Sequence, residues 1–346
     1  MTVLKNRPEP SFFDLDNVYH QISAMGDTFE ILNSTVDWEI FRPALNAVFV
    51  KEAKGPGGRP AYDYVFMFKI LVLQQVHNLS DERTQYDILN RLDFRRFLAL
   101  DFSDAVPDEK TIWHFREQLA AATVIFELFD AFKEVLKGKG LILKGGMMID
   151  ATIVPAPIQR MKKDEKAAIE RGEEPEHWEK KPSVKRQRDT DASWTKKHSK
   201  SYFGYKHHVK VSYDSKLIEM FEVTTSKLHD SQPVNVLFED ADKGREMYAD
   251  SAYASREIQR SLRKRGIKCR IHQKAARNKP LTKTAKRENR KRSKIRARVE
   301  HVFGAVKKKM VDITVRSIGL PRAALTIGIR NILYNMQRLS YPESTS

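Results

Sequence analysis

Two aspartates sit where a carboxylate is costly. Asp150 lies inside MMIDATIV, a mostly apolar run between Gly146 and Pro155, and Asp250 closes the short run EMYAD just before SAY. An ionised carboxylate among apolar neighbours needs a cation or metal beside it, or its pKa climbs. If the two runs form adjacent parallel strands of a mixed sheet, their carboxyl ends bring both side chains to the edge where open sheets bind ligands. Taken singly, Asp250 also suits a plain helix cap.

A third acid, Glu300, stands in the basic stretch RARVEHVFGAVKKKM. At about 100° per residue, Ile295, Val299, Val302, Phe303, Val306 and Met310 fall on one stripe, the expected buried face of a helix. Arg296, Glu300 and Lys307 project within about 40° of one another beside that stripe, while Arg298 and Lys308 spread around the outer surface. Three carboxylates with flanking cations suit metal-dependent phosphodiester chemistry. Magnesium or manganese takes oxygen ligands, and two such ions can activate an attacking oxygen and stabilise a leaving one. An ordinary Arg296–Glu300 helix pair is the competing reading, and spacing alone leaves both open.

The elements that must position these residues divide the chain. From Tyr62 to about Lys137 the pattern is helical: Ser80 and Asp81 cap ERTQYDILNRL, and Asp108 caps EKTIWHFREQL, where Ile112, Phe115 and Leu119 recur on one face. Such a helix–turn–helix arrangement either docks on DNA or serves packing and dimerisation. YVFMFKILVLQQV carries Lys69 and two glutamines, so it reads as a buried helix and not a membrane span. After KGKG the texture becomes strand-like. The expected order is a strand at Asp150, a hairpin turning at Asp214 and Ser215, a short helix over QPVNVLFEDAD, a strand over EMYAD, a helix from about Ser255 to Arg265, a strand over IKCRI, then the basic helix. The charged segment at about 155–200 is expected to be a largely exposed insertion. These readings give an all-α domain over 1–138 and an α/β domain over 139–340 with a mixed five-stranded sheet. In the hairpin, Tyr205, His207, Val209, Val211 and Tyr213 alternate against Lys206, His208 and Lys210. That second face either approaches the acids or meets solvent. Trp194 either packs or stacks on a displaced base.

Charge speaks to partners. The 346 residues hold 62 Lys and Arg against 45 Asp and Glu, a formal net charge of +17, which favours an anionic partner, nucleic acid first. Between Lys274 and Arg298 twelve basic residues face one acid, Glu288, a one-signed excess that reads as a phosphate track. A single cysteine, Cys269, excludes an internal disulfide and a cysteine-built zinc site. MTVLKNRPEP lacks the signal-peptide pattern, and the expected setting is the cytoplasm.

Together, MIDATIV, YADSAY and RARVEHVFGAVK resemble the three acidic blocks of DDE transposases of bacterial insertion sequences, most closely the insertion-sequence-five family within the insertion-sequence-four-like group. SWTKKHSKSYFGYKHHV and VTTSKLHDSQPV are similar to that family's connecting segments, and AYDYVFMFKILVLQQVHNLSDERTQYDIL through PDEKTIWHFREQL resembles its helical N-terminal domain. The resemblance implies a ribonuclease H-like core in which Asp150, Asp250 and Glu300 bind Mg²⁺ or Mn²⁺, as two ions, and cut and join double-stranded DNA. It implies phosphate contacts at Arg296 and Lys307, and a homodimer pairing two element ends in the bacterial nucleoid. Lys206, Arg298, Lys308 and Trp194 complete the candidate DNA contacts. One departure is Ser293, where the group often carries Tyr. A ribonuclease H-like nuclease or resolvase, and a non-catalytic DNA-binding regulator, are the alternatives.

Overall fold

Among the described residues of the helical N-terminal part, every non-glycine residue that leaves a helix with a left-handed turn carries a short or polar side chain: Asn78, Ala99 and Thr123 have φ of 52°, 53° and 52°. A computed structural model describes residues 13–49, 60–142, 145–159, 161–197, 199–275, 280–309 and 314–340. Eight helices come first: α1 (Asp14–Ala24), α2 (Thr28–Thr35), α3 (Arg42–Phe49), α4 (Tyr64–His77), α5 (Asp81–Asn90), α6 (Leu92–Leu98), α7 (Glu109–Ala122) and α8 (Ile125–Gly138). The expected caps are present. Ser80 Oγ accepts from Arg83 N at 3.2 Å and Asp108 Oδ1 from Thr111 N at 2.6 Å, as orphan N–H groups at helix starts require. Helix α4 is apolar nearly all round and is buried on nearly every side, consistent with a core helix. Its Lys69 ammonium sits over Phe97 and Trp38, 4.6 and 5.4 Å from their ring centroids.

Next come β1 (Met147–Pro155), three short helices α9 (Lys163–Glu170), α10 (Glu176–Lys180) and α11 (Pro182–Arg186), then β2 (Ser193–Lys197), β3 (Lys200–Ser212), β4 (Ile218–Thr225), β5 (Glu246–Tyr248), α12 (Arg256–Lys264), β6 (Lys268–Cys269), α13 (Lys283–Lys309) and α14 (Leu320–Ser340). The sheet runs β2-β3-β1-β5-β6, with β4 also paired to β3. Strand β3 is antiparallel to β1 along one edge. On its other edge residues 200–204 pair with β2 and residues 205–211 pair with β4. Strand β5 is parallel to both β1 and β6.

Two expectations change and a third gains detail. The sheet has six strands among the described residues, not five, because SWTKK forms β2. The segment over 155–200 is exposed at most of its described residues, as expected, but it carries three short helices and is pinned by buried anchors. Trp178 is 1% exposed and donates its indole N–H to the buried Glu165 at 3.2 Å, while Tyr205 donates to both oxygens of Asp189 at 2.8 Å. Its alternating charges conceal a few apolar and aromatic anchors, too sparse to register as a periodicity. QPVNVLFEDAD forms two 3-10 turns, Gln232–Leu237 and Asp240–Asp242, split by Phe238, whose extended backbone (ψ 139°) interrupts the helical run.

The core lies on both sheet faces. One cluster, with Met148, Val209, Val211 and Phe221, continues through α13, α14 and the N-terminal helices; the other, with Met147, Ile149 and Met247, is closed by α12 and the 3-10 turns. Helix α14 joins the helical half to the sheet, packing on α8, α4, α7 and α2 on one side and β4 on the other. Its Asn331 amide donates to the buried His207 at 3.0 Å. Burial lowers the His207 pKa to about 3, so the ring is a neutral acceptor. Gly328 lets α14 in: a Cβ there would collide with Ile125 Cγ1 of α8 and stand 2.9 Å from Phe221 Cζ of β4. Gly328→Ala is expected to cost about 1–3 kcal/mol by overpacking. Urea unfolding reads it, and an unchanged midpoint with an unchanged slope would show that α8 and β4 yield freely.

Candidate active site

The parallel register of β1 and β5 decides where the aspartates meet. Met147 pairs with Met247 and Met148 with Tyr248, so Asp150 and Asp250 each follow by two residues the last pair of the ladder. Asp150 shares the Met148 face of β1, against which α13 packs. Its Oδ1 accepts from Ala151 N at 2.9 Å. Asp250 closes the next strand and its Oδ1 accepts from Ala252 N at 2.8 Å, capping the 3-10 turn Ser251–Tyr253. The plain capping role is therefore met, and the same carboxylate stands near enough to Asp150 for their charges to interact.

Burial dominates the Asp150 carboxyl and pushes its pKa up to about 6. The Ala151 N–H and the Arg296 charge pull the other way, while the neighbouring charge of Asp250 adds to the rise. Arg296 spans two acids: Nη1 lies 3.4 Å from Asp150 Oδ2 and Nη2 lies 3.5 Å from Glu300 Oε1. The helix pair of the bland reading therefore exists, and the same guanidinium also serves the sheet. Glu300 keeps 64% of its side chain exposed. Among the described residues no three His, Cys, Asp or Glu side chains stand close enough to hold one ion. Arg296 is the cation nearest the buried acid, and its contacts are long, so the negative charge at Asp150 is only partly met. Hard oxygen donors with unmet negative charge are the ligand type a divalent cation takes.

Val299, Val302 and Phe303 are buried and Ile295 partly so, as the stripe requires. Val306 and Met310, with the cations Lys307 and Lys308, lie outside the described side chains. Arg298 sits 4.4 Å from the Tyr213 ring centroid in a cation–π contact. Trp194 stays 45% exposed on β2 with its ring tilted against Phe203. Ser293 Oγ lies 3.4 Å from His272 Nε2, on the rim near Asp250.

The face carrying Lys206, His208 and Lys210 does not meet solvent. His208 bonds Thr224 at 2.9 Å, Lys210 is enclosed by Glu239 and Asp242, and Lys206 reaches Asp230 at 2.8 Å and the Leu228 carbonyl. The segment at 226–242 folds over this face, a long-range packing that strand alternation does not reveal. Two residues near the acids escaped sequence reasoning. Tyr253, 1% exposed, has a hydroxyl with no partner among the described residues, and burial with the charges of Asp150, Asp230 and Asp250 raises its pKa well above that of an ordinary phenol. Lys197 is close enough to Asp150 to favour its ionised form. The signal for Tyr253 was its place three residues after Asp250 in YADSAY.

An α/β sheet with two in-register aspartates and a glutamate-bearing basic helix defines a class. Residues 143–336 match the model of the transposase DDE domain, and residues 16–118 match that of a transposase domain, DUF772. The chain belongs to the DDE transposase family and is an enzyme of that class. It is 31% identical to the transposase for insertion sequence element IS1106 of Neisseria meningitidis serogroup B over 237 residues, 66% of this chain and 79% of the relative. The piggyBac transposase in a synaptic complex with hairpin DNA aligns with a TM-score of 0.44 at 12% identity, covering 95% of this chain and 75% of that one. Among the described residues no helix is long and apolar enough to cross a membrane.

Proposed function

We propose that this transposase binds the terminal inverted repeats of its own insertion sequence, of the insertion-sequence-five family, cuts the DNA, and joins the 3′ ends to target DNA. The observation that carries the reading is the register of β1 and β5, which brings Asp150 beside Asp250, with Arg296 reaching from Asp150 to Glu300. In this reading residues 139–340 form a ribonuclease H-like catalytic domain, and residues 1–138 bind DNA and support assembly as a homodimer in the bacterial cytoplasm. Membership of the DDE family implies dependence on divalent metal. Asp150, Asp250 and Glu300 would hold Mg²⁺ or Mn²⁺, two ions, which when bound polarise phosphodiester oxygens and lower the pKa of water.

The protein's own groups orient and neutralise. Asp150 is fixed by the Ala151 N–H and Asp250 by the Ala252 N–H, so neither swings freely. Arg296 stabilises the two acids until Glu300 turns inward, and its guanidinium is then released towards a phosphate. Arg298, Lys307, Lys308 and Trp194 extend this contact along the DNA, whereas Lys206, held by Asp230 and the Leu228 carbonyl beneath the 226–242 segment, serves the fold. The test is a strand-transfer assay with a duplex ending in the element's terminus, Mg²⁺ or Mn²⁺, and Glu300→Gln in parallel. Metal-dependent joining that falls at least about a hundredfold in Glu300→Gln is the expected result, as for loss of one transition-state charge group. Cleavage without joining would point to a nuclease, and duplex binding without chemistry to a regulator; either sinks the proposal.

A further inference from the structure

Away from the three acids, a cleft of about 470 Å³ opens where α4, α5 and α7 meet α14 and the 314–318 segment, and none of the acids lines it. Its wall carries more arginine than carboxylate. Arg116 grips Asp81 with two nitrogens at 2.5 and 2.7 Å, and Arg322 Nε reaches both oxygens of Glu117 at 2.8 and 2.7 Å, so those charges are matched. Arg330 is not matched. It is 2% exposed, and its Nε and Nη2 donate to neutral amide oxygens, Gln75 Oε1 at 2.9 Å and Asn78 Oδ1 at 3.2 Å. Its Nη1 has no partner among the described residues, and neither has the buried Oγ of Ser317 on the same wall. Burial, then the charge of Arg316, holds the Arg330 pKa down to about 10. Arg186 adds a further cation to the wall.

A buried guanidinium with neutral partners and a free donor is costly to maintain unless an anion completes it. We propose that this cleft receives a phosphate group of the DNA backbone, bound by Arg330 Nη1 and Ser317 Oγ and neutralised by Arg316 and Arg186. The choice of DNA as the source rests on the transposase reading above; the anion site itself does not. Phosphate suits the donors: the one unpartnered guanidinium nitrogen and a hydroxyl can each donate to an oxygen of a tetrahedral anion, and the surplus positive charge matches it. Trp113, half-exposed on the rim, offers a ring on which a base next to that phosphate stacks. Because the cleft is walled by the helical half, by α14 and by the segment that follows α13, a phosphate there ties the helical half to the catalytic half.

Two measurements test this. The first compares melting of the wild-type chain in sodium phosphate and in sodium chloride at equal ionic strength, beside Arg316→Gln, an exposed position whose substitution leaves the core intact, and Arg330→Lys. The second follows binding of a labelled element-end duplex by anisotropy across salt. Phosphate is expected to raise the wild-type melting temperature and to do so less in both variants. The slope of log K against log salt is expected to fall by about 0.9 in Arg316→Gln, the value for neutralising one phosphate fewer, and to hold in Arg330→Lys, which keeps the charge but loses the guanidinium donors and binds the duplex more weakly. No phosphate-specific rise in the wild type overturns the site. A rise with duplex slopes identical in all three proteins overturns the DNA source and assigns a free phosphate or nucleotide. Failure of the transposase reading is distinguishable, since then none of the proteins binds the duplex while the phosphate shift persists.

Discussion

At pH 7.5 and without metal, Asp150→Asn is expected to melt above the wild-type protein while making no joined product. Asp150 is an acid whose folded pKa, about 6, stands above the ordinary value of 3.8 because burial disfavours its charge. Between about pH 4 and pH 6 the folded chain holds a proton that the unfolded chain releases. Stability therefore falls as pH rises through that window and stays lowered above it. The shift corresponds to at most about 3 kcal/mol, and asparagine removes it because a neutral amide takes the place of the ionised carboxylate. At pH 4 the wild-type carboxyl is protonated when folded, so the two proteins should converge.

Divalent metal should act on the wild type and hardly at all on the variant. It supplies the charge that Arg296 meets only through contacts of 3.4 and 3.5 Å, so Mg²⁺ or Mn²⁺ should raise the wild-type melting temperature, by linkage of binding to folding, and leave Asp150→Asn nearly unmoved. In the wild type, joining should rise with pH through about 6 as Asp150 ionises, with the midpoint moved lower at high metal. Melting curves at pH 4 and 7.5, with and without metal, beside the strand-transfer assay, decide the matter. A variant that melts lower than wild type at pH 7.5 would mean that the ionised Asp150 is a net stabiliser and that Arg296 meets its charge in full.

That the two aspartates would meet was legible because each stands in unusual company. Asp150 in an apolar run and Asp250 at the end of another needed only the adjacency of two strands to meet, and that adjacency is what β1 and β5 form. The helix stripe at Val299, Val302 and Phe303 was legible through its period alone. What sequence could not carry was closure by distant segments. Nothing local in KHHVKVSYD announces that Asp230, Glu239 and Asp242 will fold over Lys206 and Lys210, because those partners come from a different part of the chain. The same holds for α14, whose Arg330 and Asn331 are addressed to α4 and β3 and lie far from both in the chain. SWTKK was missed as a strand because three of its five residues are exposed and its pairing with β3 supplies the order.

Arg245→Ala is expected to lose about 3–5 kcal/mol of stability, because it strips the guanidinium from a buried cluster whose acids cannot reach water. Arg245 is 7% exposed and holds Glu219 through two bonds of 2.7 and 2.8 Å and Asp242 through one of 2.9 Å. Glu219 and Asp242 are 2% and 1% exposed, and after the truncation Lys210 is the one cation among the described residues left facing them, at 3.9 Å from Glu219 and 2.9 Å from Asp242. Lys210 is also shared with Glu239, so it cannot neutralise all three. The effect reaches the site by geometry. Arg245 precedes β5, and its Nε donates to the Gly145 carbonyl ahead of β1 at 2.9 Å, so it ties the starts of the two strands that carry Asp150 and Asp250. Strand transfer should fall even under conditions where the variant remains folded. Urea unfolding of Arg245→Ala, Glu219→Gln and the double variant separates the terms: the double should recover part of the loss, since removing the stranded charge removes its desolvation cost. A single-variant loss below about 1 kcal/mol would show that water or Lys210 screens Glu219 after all, and would free the β1–β5 register from dependence on this cluster.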